Sequence, residues 1–223
     1  AVDRTASGDD LIATEPRLHV LCRTLDQVRE LARIKQSLIS TIEHQCSVVY
    51  ADFSDIREYR EATQVAHEAG LTIFLATPRI QKPDELGLFH AIGKHPADGI
   101  LVRNLAGLRY FTERGVAVIA DYSLNVTNEL TAAFLKQQGA GRLTASYDMN
   151  RDQLLTMVAA VPAAWMEVVI HQHMPMFHME HCVFCAVLSP GTNKTNCGRP
   201  CDEHLVQLRD NIGMEHPLRA DVG

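Results

Sequence analysis

Long hydrophobic runs are missing from this 223-residue chain. The longest apolar stretches, such as Ser47 to Tyr50 and Leu71 to Ala76, are far too short to cross a bilayer. No signal-peptide pattern opens the sequence, so we expect a cytoplasmic protein that does not contact a membrane. The chain begins at Ala1 without Met, and we expect it to be a piece of a longer protein.

An excess of positive charge is also missing. The chain has 21 Lys and Arg against 27 Asp and Glu, which gives a formal net charge of −6. This balance removes any whole-domain electrostatic argument for nucleic-acid binding, although a local basic patch remains possible. The length is sufficient for one substantial domain with a buried core.

Short apolar strands alternate with amphipathic helices from Arg17 onward. The predicted helices are 26–39, 55–69, 84–94 and 127–138, and two of them are followed by a glycine that suits a helix end. This alternation is typical of repeated βα units on a parallel sheet, an α/β fold. The predicted strands are Leu18–Cys22, Val48–Asp52, Leu71–Ala76, Gly99–Arg103, Val116–Asp121, Arg142–Tyr147 and Met166–His171.

Polar side chains follow the predicted strands, where the carboxyl ends of barrel strands would form one face and carry the active site. No glycine-rich phosphate turn follows the first strand, which weakens the dinucleotide-binding alternative. We therefore predict a TIM-barrel-like fold, either incomplete or closed by an eighth strand near Leu218–Val222. The predicted organisation is a flexible segment 1–16, a barrel-like domain 17–180 and a cysteine-rich metal- or cluster-binding segment 181–223. The polar groups after the strands are Arg23, Asp52, Thr77 with Arg79, Arg103, Asp121 with Asn125, Asp148 and His171.

Four of the six cysteines lie within twenty residues near the carboxyl terminus. They form a C-x2-C pair, an eleven-residue gap and a C-x3-C pair: Cys182, Cys185, Cys197 and Cys201. Two such loops can turn four thiolates toward one point, as in a structural zinc site. An iron–sulfur cluster uses the same ligands, and a redox dithiol would need only one of the pairs. On spacing alone zinc ranks first.

Other candidate site residues lie at strand ends. Glu167 and His171 are four residues apart on one predicted strand, so both would point to the same face and could handle protons. A buried structural role for Glu167 is the alternative. Asp121, Asn125 and Asn128 could bind a polar ligand, but they are also ordinary turn and helix-cap residues.

Three blocks of sequence resemble the peptidase U32 family. They are Asp121 to Asn128, then Glu167 to His171, then the cysteine segment with Phe184-Cys185-Ala186 and Cys197-Gly198-Arg199-Pro200-Cys201. The resemblance implies a TIM-barrel-like core. Members were first described as collagenase-like proteases, and several bacterial members carry a [4Fe–4S] cluster on four cysteines. The resemblance therefore favours iron–sulfur over zinc.

Those bacterial members support oxygen-independent hydroxylation of RNA bases or of a quinone precursor, with prephenate implicated as the oxygen source. The resemblance thus implies a small-molecule or RNA substrate, and as partner a paired U32-family subunit or further domains of a longer chain. Arg103 or Arg199 would meet an anionic cosubstrate. The family's usual last ligand lies downstream of the C-x3-C pair, so the fourth ligand is either Cys201 or a residue beyond Gly223. A peptidase and a zinc-stabilised binding module remain the alternatives.

Overall fold

A computed structural model describes residues 16–37, 46–172, 182–192, 196–218 and 220. The chain divides into two compact units, residues 1–170 and residues 171–222. The predicted boundary at 180 and nearly all of the segment 1–16 lie outside the described residues. Among the described helices, none combines the length and the apolar character that a membrane crossing requires.

The first unit contains a seven-stranded parallel sheet whose spatial order follows the chain, β1-β2-β3-β4-β5-β6-β7. This order, with a helix after most strands, is that of successive βα units and confirms the predicted α/β, TIM-barrel-like fold. The strands are β1 (Leu18–Cys22), β2 (Cys46–Ala51), β3 (Thr72–Ala76), β4 (Gly99–Val102), β5 (Val118–Ala120), β6 (Arg142–Thr144) and β7 (Met166–Glu167).

Three helices of this unit begin at an asparagine whose side chain caps the first turn. Asn104, Asn128 and Asn150 each accept a hydrogen bond from the backbone N–H three residues later, which satisfies a donor that the first turn leaves free. The helices that start at Asn104 and Asn150 are absent from the predicted set. In the described part of the unit the α-helices are α1 (Leu25–Ser37), α2 (Tyr59–Glu68), α3 (Leu86–Ile92), α4 (Leu105–Thr112), α5 (Glu129–Gln137) and α6 (Arg151–Ala160).

The sheet is curled, because side chains from its two edge strands meet. Nδ1 of His19 on β1 lies 3.0 Å from Oε1 of Glu167 on β7, although five strands separate the two along the sheet. In the described residues β1 pairs only with β2 and β7 only with β6, so the curl does not close through backbone hydrogen bonds. The first unit is therefore an incomplete barrel.

Two apolar layers stabilise the sheet. Val49, Ile73 and other alternate strand residues pack against the helices in one large core. The intervening residues form a smaller cluster built from strands alone, and this cluster marks the concave face. Gly99 makes room there, since a Cβ atom at Gly99 would lie 2.4 Å from the ring of Phe74.

Two predicted strands require correction. The strand predicted to reach His171 ends at Glu167, after two residues. The eighth strand predicted near Leu218–Val222 is not a barrel strand where the structure describes it. Leu218 ends a strand that pairs antiparallel with 206–209 in a separate two-stranded sheet.

The second unit has short elements. Helix α7 (Val183–Leu188) follows Cys182, and α8 (Pro200–Glu203) contains Cys201. A hairpin of β8 (Val206–Arg209) and β9 (Glu215–Leu218) completes the described part.

Candidate functional site

A buried cluster of charged side chains lies where β2, β4 and β5 end. Arg103 donates from both terminal nitrogens to the carboxylate of Asp52, at 2.7 Å each, and from Nε to Asp121 at 3.1 Å. All three residues are buried, and Arg103 is only 6% exposed. Such a planar fork matches carboxylate geometry, which makes these the strong kind of ion pair.

The cluster is fixed by its surroundings. Thr77 accepts the backbone N–H of Arg103 at 3.0 Å, and Ser123 donates to its carbonyl oxygen at 2.9 Å. Arg23, which is partly exposed, adds a second cation at 3.1 Å from Asp52. Burial raises the pKa of Asp121, because the single bond from Arg103 offsets the loss of water only in part.

Arg79 lies beside this cluster on the loop after β3. Its Nη2 donates to the hydroxyl of Tyr122, and its guanidinium carbon lies 5.3 Å from the centre of the Tyr122 ring. Tyr122 makes an edge-to-face contact with Tyr147, with ring centres 4.8 Å apart. Asn104 holds the loop by donating to the carbonyl oxygen of Pro78 at 3.0 Å, while its own oxygen caps α4.

A second polar cluster links the edge strands on the concave face. Tyr50 donates to the Glu167 carboxylate, with oxygen–oxygen distances of 2.7 and 2.8 Å. Arg142 lies 3.6 Å from Glu167, and its Nη1 lies 3.4 Å from Nε2 of His19. Because arginine only donates hydrogen bonds, Nε2 of His19 accepts and the proton of neutral His19 sits on Nδ1, which donates to Glu167.

These contacts favour the ionised form of Glu167. Burial by itself would raise the pKa of Glu167, but hydrogen bonds from His19 and Tyr50 and the charge of Arg142 outweigh burial and lower it. Burial and the neighbouring Glu167 carboxylate raise the pKa of Tyr50, so Tyr50 stays a donor. Glu167 therefore links the edge strands through these contacts, which is a structural role. Its catalytic role stays a prediction.

Other predicted site residues lie in ordinary local positions. His171 is exposed and lies beyond β7, so the argument that placed Glu167 and His171 on one strand face is wrong. Asn125 ends a short 3₁₀ turn in the left-handed conformation, with φ of 52°. Asn128 caps α5 with its side-chain oxygen, 2.9 Å from the N–H of Thr131. The ligand-binding roles of both stay predictions.

The cysteine segment folds by local hydrogen bonds to sulfur and oxygen. The sulfur of Cys182 accepts from the N–H of Cys185 at 3.5 Å, and the sulfur of Cys197 accepts from the N–H of Arg199 at 3.4 Å. Cys185 donates to the carbonyl of Gly191 at 3.4 Å. All of these cysteines are free thiols.

The thiols also influence one another. Burial and the charges of Cys197 and Cys182 raise the pKa of Cys185, and burial, Asp202 and, more weakly, Cys182 raise that of Cys201. The described residues nevertheless contain no group of three or more His, Cys, Asp or Glu arranged to hold a metal ion. The donor set therefore suits a thiolate-ligated centre in its chemistry, but its sulfurs are not already arranged around one.

Arg199 serves this segment mainly through its backbone. Its guanidinium pairs with Asp202 at 2.8 Å and is half exposed, and the residue adopts the left-handed conformation before α8. The backbone N–H of Arg199, not its side chain, donates to the sulfur of Cys197. Binding of an anionic cosubstrate by Arg199 stays a prediction.

Comparison with known proteins identifies the family. The model of Peptidase family U32 matches residues 39–212, well over half of the chain. The chain belongs to peptidase family U32. This confirms the resemblance inferred from the three sequence blocks. No curated protein matches the sequence significantly.

Solved structures share the fold at low sequence identity. The U32 peptidase Mk0906 superposes with a TM-score of 0.50 and 13% identity, over 69% of this chain and 67% of its own. A protein described as a fructose-1,6-biphosphate aldolase, from Coccidioides immitis, has a TM-score of 0.46 and 16% identity over 69% and 63%. The YdjI aldolase from Escherichia coli K12 has 0.44 and 14% over 66% and 62%. At such identities only the U32 likeness bears on this chain, and it bears on the fold alone.

Sequence reasoning identified part of this U32 site. Arg103 and Asp121 are predicted as ligand-binding residues, and in the structure Arg103 forms internal ion pairs with both Asp52 and Asp121. The signal for Asp52 and Arg79 was their position directly after strands. His19, Tyr50 and Arg142 were missed, although polar residues at alternate positions inside apolar strands point to a shared concave face.

Proposed function

We propose that this U32 chain binds a [4Fe–4S] cluster through Cys182, Cys185, Cys197 and Cys201 and supports oxygen-independent hydroxylation of an RNA base or a small aromatic or quinone precursor. The observation that carries the proposal is the presence of four free thiols within twenty residues of the sequence, two of which accept backbone N–H donors. Zinc on the same cysteines is the alternative.

The electrostatics of the thiols supports a cationic centre. Burial is the main cause of the raised pKa values of Cys185 and Cys201, and nearby negative charges, including those of neighbouring thiolates, raise them further. A bound metal centre reverses this effect, because coordinated thiols lose their protons. The N–H groups of Cys185 and Arg199 would then stabilise sulfur charge and tune the potential of the centre.

The proposed reaction exchanges a hydroxyl group between two organic molecules. A C–H bond of the substrate becomes C–OH, while a C–OH bond of an organic hydroxyl donor becomes C–H. Oxidation of the substrate thus balances reduction of the donor, and no molecular oxygen is consumed. When bound, the cluster supplies electron transfer.

Anaerobic purification of the whole chain tests the cluster. We expect brown protein with visible absorption, iron and acid-labile sulfide, and loss of all three in Cys185→Ala. Cys46→Ala is the matched control, because Cys46 is a buried thiol on β2 of the first unit. Colourless protein with one equivalent of zinc would contradict the iron–sulfur assignment. Cys201→Ala tests the fourth ligand, and an intact cluster in that variant would exclude Cys201.

Hydroxylation is tested in anaerobically grown cells that depend on this protein. Mass spectra of RNA nucleosides and quinones should lose one oxygen atom from a specific product when Cys185→Ala replaces the wild type. Cells that carry Cys46→Ala should keep that product. If the product is unchanged in cells that carry either variant, the hydroxylase proposal is contradicted. The separate proposal that the chain binds an iron–sulfur cluster would not be affected.

Peptidase activity is the second candidate, since the family model and Mk0906 carry that name. A cysteine nucleophile needs an adjacent base. The described partners of Cys182, Cys185 and Cys201 are backbone groups, other cysteines, Ser189 and Asp202. Cleavage of gelatin or casein by the wild type, lost in Cys185→Ala, would support the peptidase and count against the hydroxylase.

A further inference from the structure

One serine links the two cysteine pairs of the second unit. Ser189, which follows α7, donates from its hydroxyl to the carbonyl oxygen of Cys197 at 2.7 Å. The oxygen of this hydroxyl also accepts from the backbone N–H of Gly191 at 2.9 Å. The end of the helix that contains Cys185 is thereby tied to the first cysteine of the C-x3-C pair.

Gly191 allows the backbone to close tightly beside this serine. A Cβ atom at Gly191 would overlap the carbonyl oxygen of Asn196 and would lie 2.7 Å from Cα of Cys197. Both of these are backbone atoms, which cannot rotate away as the end of a side chain could. A residue larger than glycine would therefore push Cys197 away from Gly191, and close backbone approach is a usual reason for glycine.

This closure brings two of the proposed metal ligands together. The thiols of Cys185 and Cys197 are in hydrogen-bonding contact with each other, and the hydroxyl of Ser189 also contacts the Cys185 thiol. Cys185 is buried and donates to the carbonyl oxygen of Gly191 at 3.4 Å. Ser189, Gly191 and Cys197 therefore all contact one buried thiol, and Ser189 is the side chain that joins them.

We propose that Ser189 is a positioning residue that holds Cys197 beside Cys185, so that two ligands of the thiolate-ligated centre are paired before the centre forms. The inference rests on the proposed function only in that these cysteines bind a metal centre, and it applies to iron–sulfur and to zinc alike. A pair held in place in advance loses less conformational freedom when the metal binds. Loss of a group that orients metal ligands typically weakens metal binding by about 10- to 100-fold.

Titration of Co²⁺ into the reduced, metal-free whole chain tests this role, because Co²⁺ binds to thiolates and its sulfur-to-metal absorption reports the binding. We expect Ser189→Ala to weaken Co²⁺ binding by about ten-fold or more, since the carbonyl group of Cys197 and the N–H of Gly191 lose their partner. Ser189→Thr keeps the hydroxyl and should bind Co²⁺ within about three-fold of the wild type. Equally weak binding in both variants would show that the hydroxyl is not responsible and would overturn the proposal.

Thr192→Ala is the matched control. Thr192 is an exposed residue of the same segment, and its hydroxyl accepts from the side-chain amide of Asn196 at 3.4 Å. The variant should change Co²⁺ affinity by less than about three-fold. Equal losses in Ser189→Ala and Thr192→Ala would mean that any loosening of the segment weakens binding, and wild-type affinity in Ser189→Ala would mean that the serine positions nothing. Either result would overturn the proposal.

Gly191→Ala tests the same closure without removing the hydroxyl. Its Cβ atom would displace Cys197, so Co²⁺ binding should weaken by about ten-fold or more although Ser189 is present. Wild-type affinity in Gly191→Ala would show that the approach of Cys197 to Cys185 does not matter for the metal, which would also overturn the proposal.

Iron analysis of the same proteins, purified anaerobically, separates this proposal from the cluster proposal. If the wild type lacks iron and sulfide but binds Co²⁺ with the expected dependence on Ser189, the iron–sulfur assignment fails and the positioning role stands. If the wild type and Ser189→Ala carry equal amounts of iron–sulfur cluster and bind Co²⁺ equally, the positioning role fails and the cluster stands. A wild type that binds neither iron nor Co²⁺ overturns both.

Discussion

The two units of this chain are stabilised in different ways. In the first, strands β2 to β6 carry buried side chains on both faces, and buried polar groups such as Arg103 and Asp52 satisfy one another. In the second, the described buried residues are Phe184, Cys185 and Pro200, while Leu205 is 99% and Ile212 76% exposed. The first unit has a core sufficient to fold. The described part of the second unit has very little core for its size.

This difference gives the cysteines a structural meaning beyond their chemistry. Units of about 50 residues usually need disulfides, metals or a partner, because they bury too little apolar surface. The cysteines of the second unit are free thiols. A metal centre on them would supply the missing stability, as structural zinc does in small domains.

The largest expected effect therefore comes from removing the proposed metal centre. In the whole chain, removal should abolish hydrogen-exchange protection in the hairpin of β8 and β9 but leave β2 to β6 protected. Structural metals contribute on the order of 10 kcal/mol to the folding of small domains, which is more than this core can replace. Unchanged protection of the hairpin would mean that the second unit folds without a centre, and the contrast between the units would disappear.

Arg103→Met tests how much the buried ion pairs stabilise the first unit. It leaves Asp52 and Asp121 as buried carboxylates without their cation, so the free energy of unfolding should fall by about 3–5 kcal/mol. Urea denaturation followed by fluorescence measures the loss in the first unit, because Trp165 is the only tryptophan and belongs to that unit.

The control is Arg109→Met, whose exposed pair with Glu113 should contribute less than about 1 kcal/mol. The triple variant Arg103→Met, Asp52→Asn, Asp121→Asn should recover part of the loss, because no buried carboxylate remains. A loss below about 1 kcal/mol for Arg103→Met alone would show that the cluster is dispensable for folding.

These clusters also mark the limit of sequence reasoning. The alternation of strands and helices and the parallel sheet follow from local patterns, because hydrophobic periodicity and helix caps act over a few residues. Local patterns do not determine which charged side chains pair with one another. Arg103 follows β4 just as Arg79 follows β3, yet only Arg103 reaches two carboxylates, from β2 and β5. That outcome depends on the curl of the sheet, which no local pattern encodes.

The end of β7 was mispredicted for a similar reason. Val168 to Ile170 are apolar and β-branched, so they extend the strand pattern, but a strand also needs a neighbour to pair with. Strand β6 ends at Thr144, which pairs with Glu167, and the structure ends β7 at the same level. The apolar sequence pattern therefore extends further along the chain than the pairing of β7 with β6, and His171 lies outside the sheet.

Glu167→Gln tests whether the charge of Glu167 stabilises the polar cluster that links the edge strands. The folded-state pKa of Glu167 is lowered, so its contribution to stability is complete above the unfolded pKa of about 4.3 and is lost as pH falls through the folded pKa. The free energy of unfolding should fall by about 1–3 kcal/mol in this variant at neutral pH, because His19 and Tyr50 would no longer donate hydrogen bonds to a charged carboxylate. Urea midpoints of the two proteins should converge in acid.

Glu113→Gln controls for the loss of a surface carboxylate. A constant difference between Glu167→Gln and the wild type from pH 7 to acid would show that packing, not charge, links β1, β2 and β7.

Asn128 offers the smallest and most discriminating test. Its side chain caps α5, so Asn128→Ala should destabilise the first unit by about 1 kcal/mol, whereas Asn128→Ser keeps an oxygen at the cap and should cost only a few tenths. Urea denaturation of both variants, followed by the fluorescence of Trp165, measures the two losses. Equal losses in the Ala and Ser variants would show that the capping oxygen of Asn128 does not stabilise the start of α5.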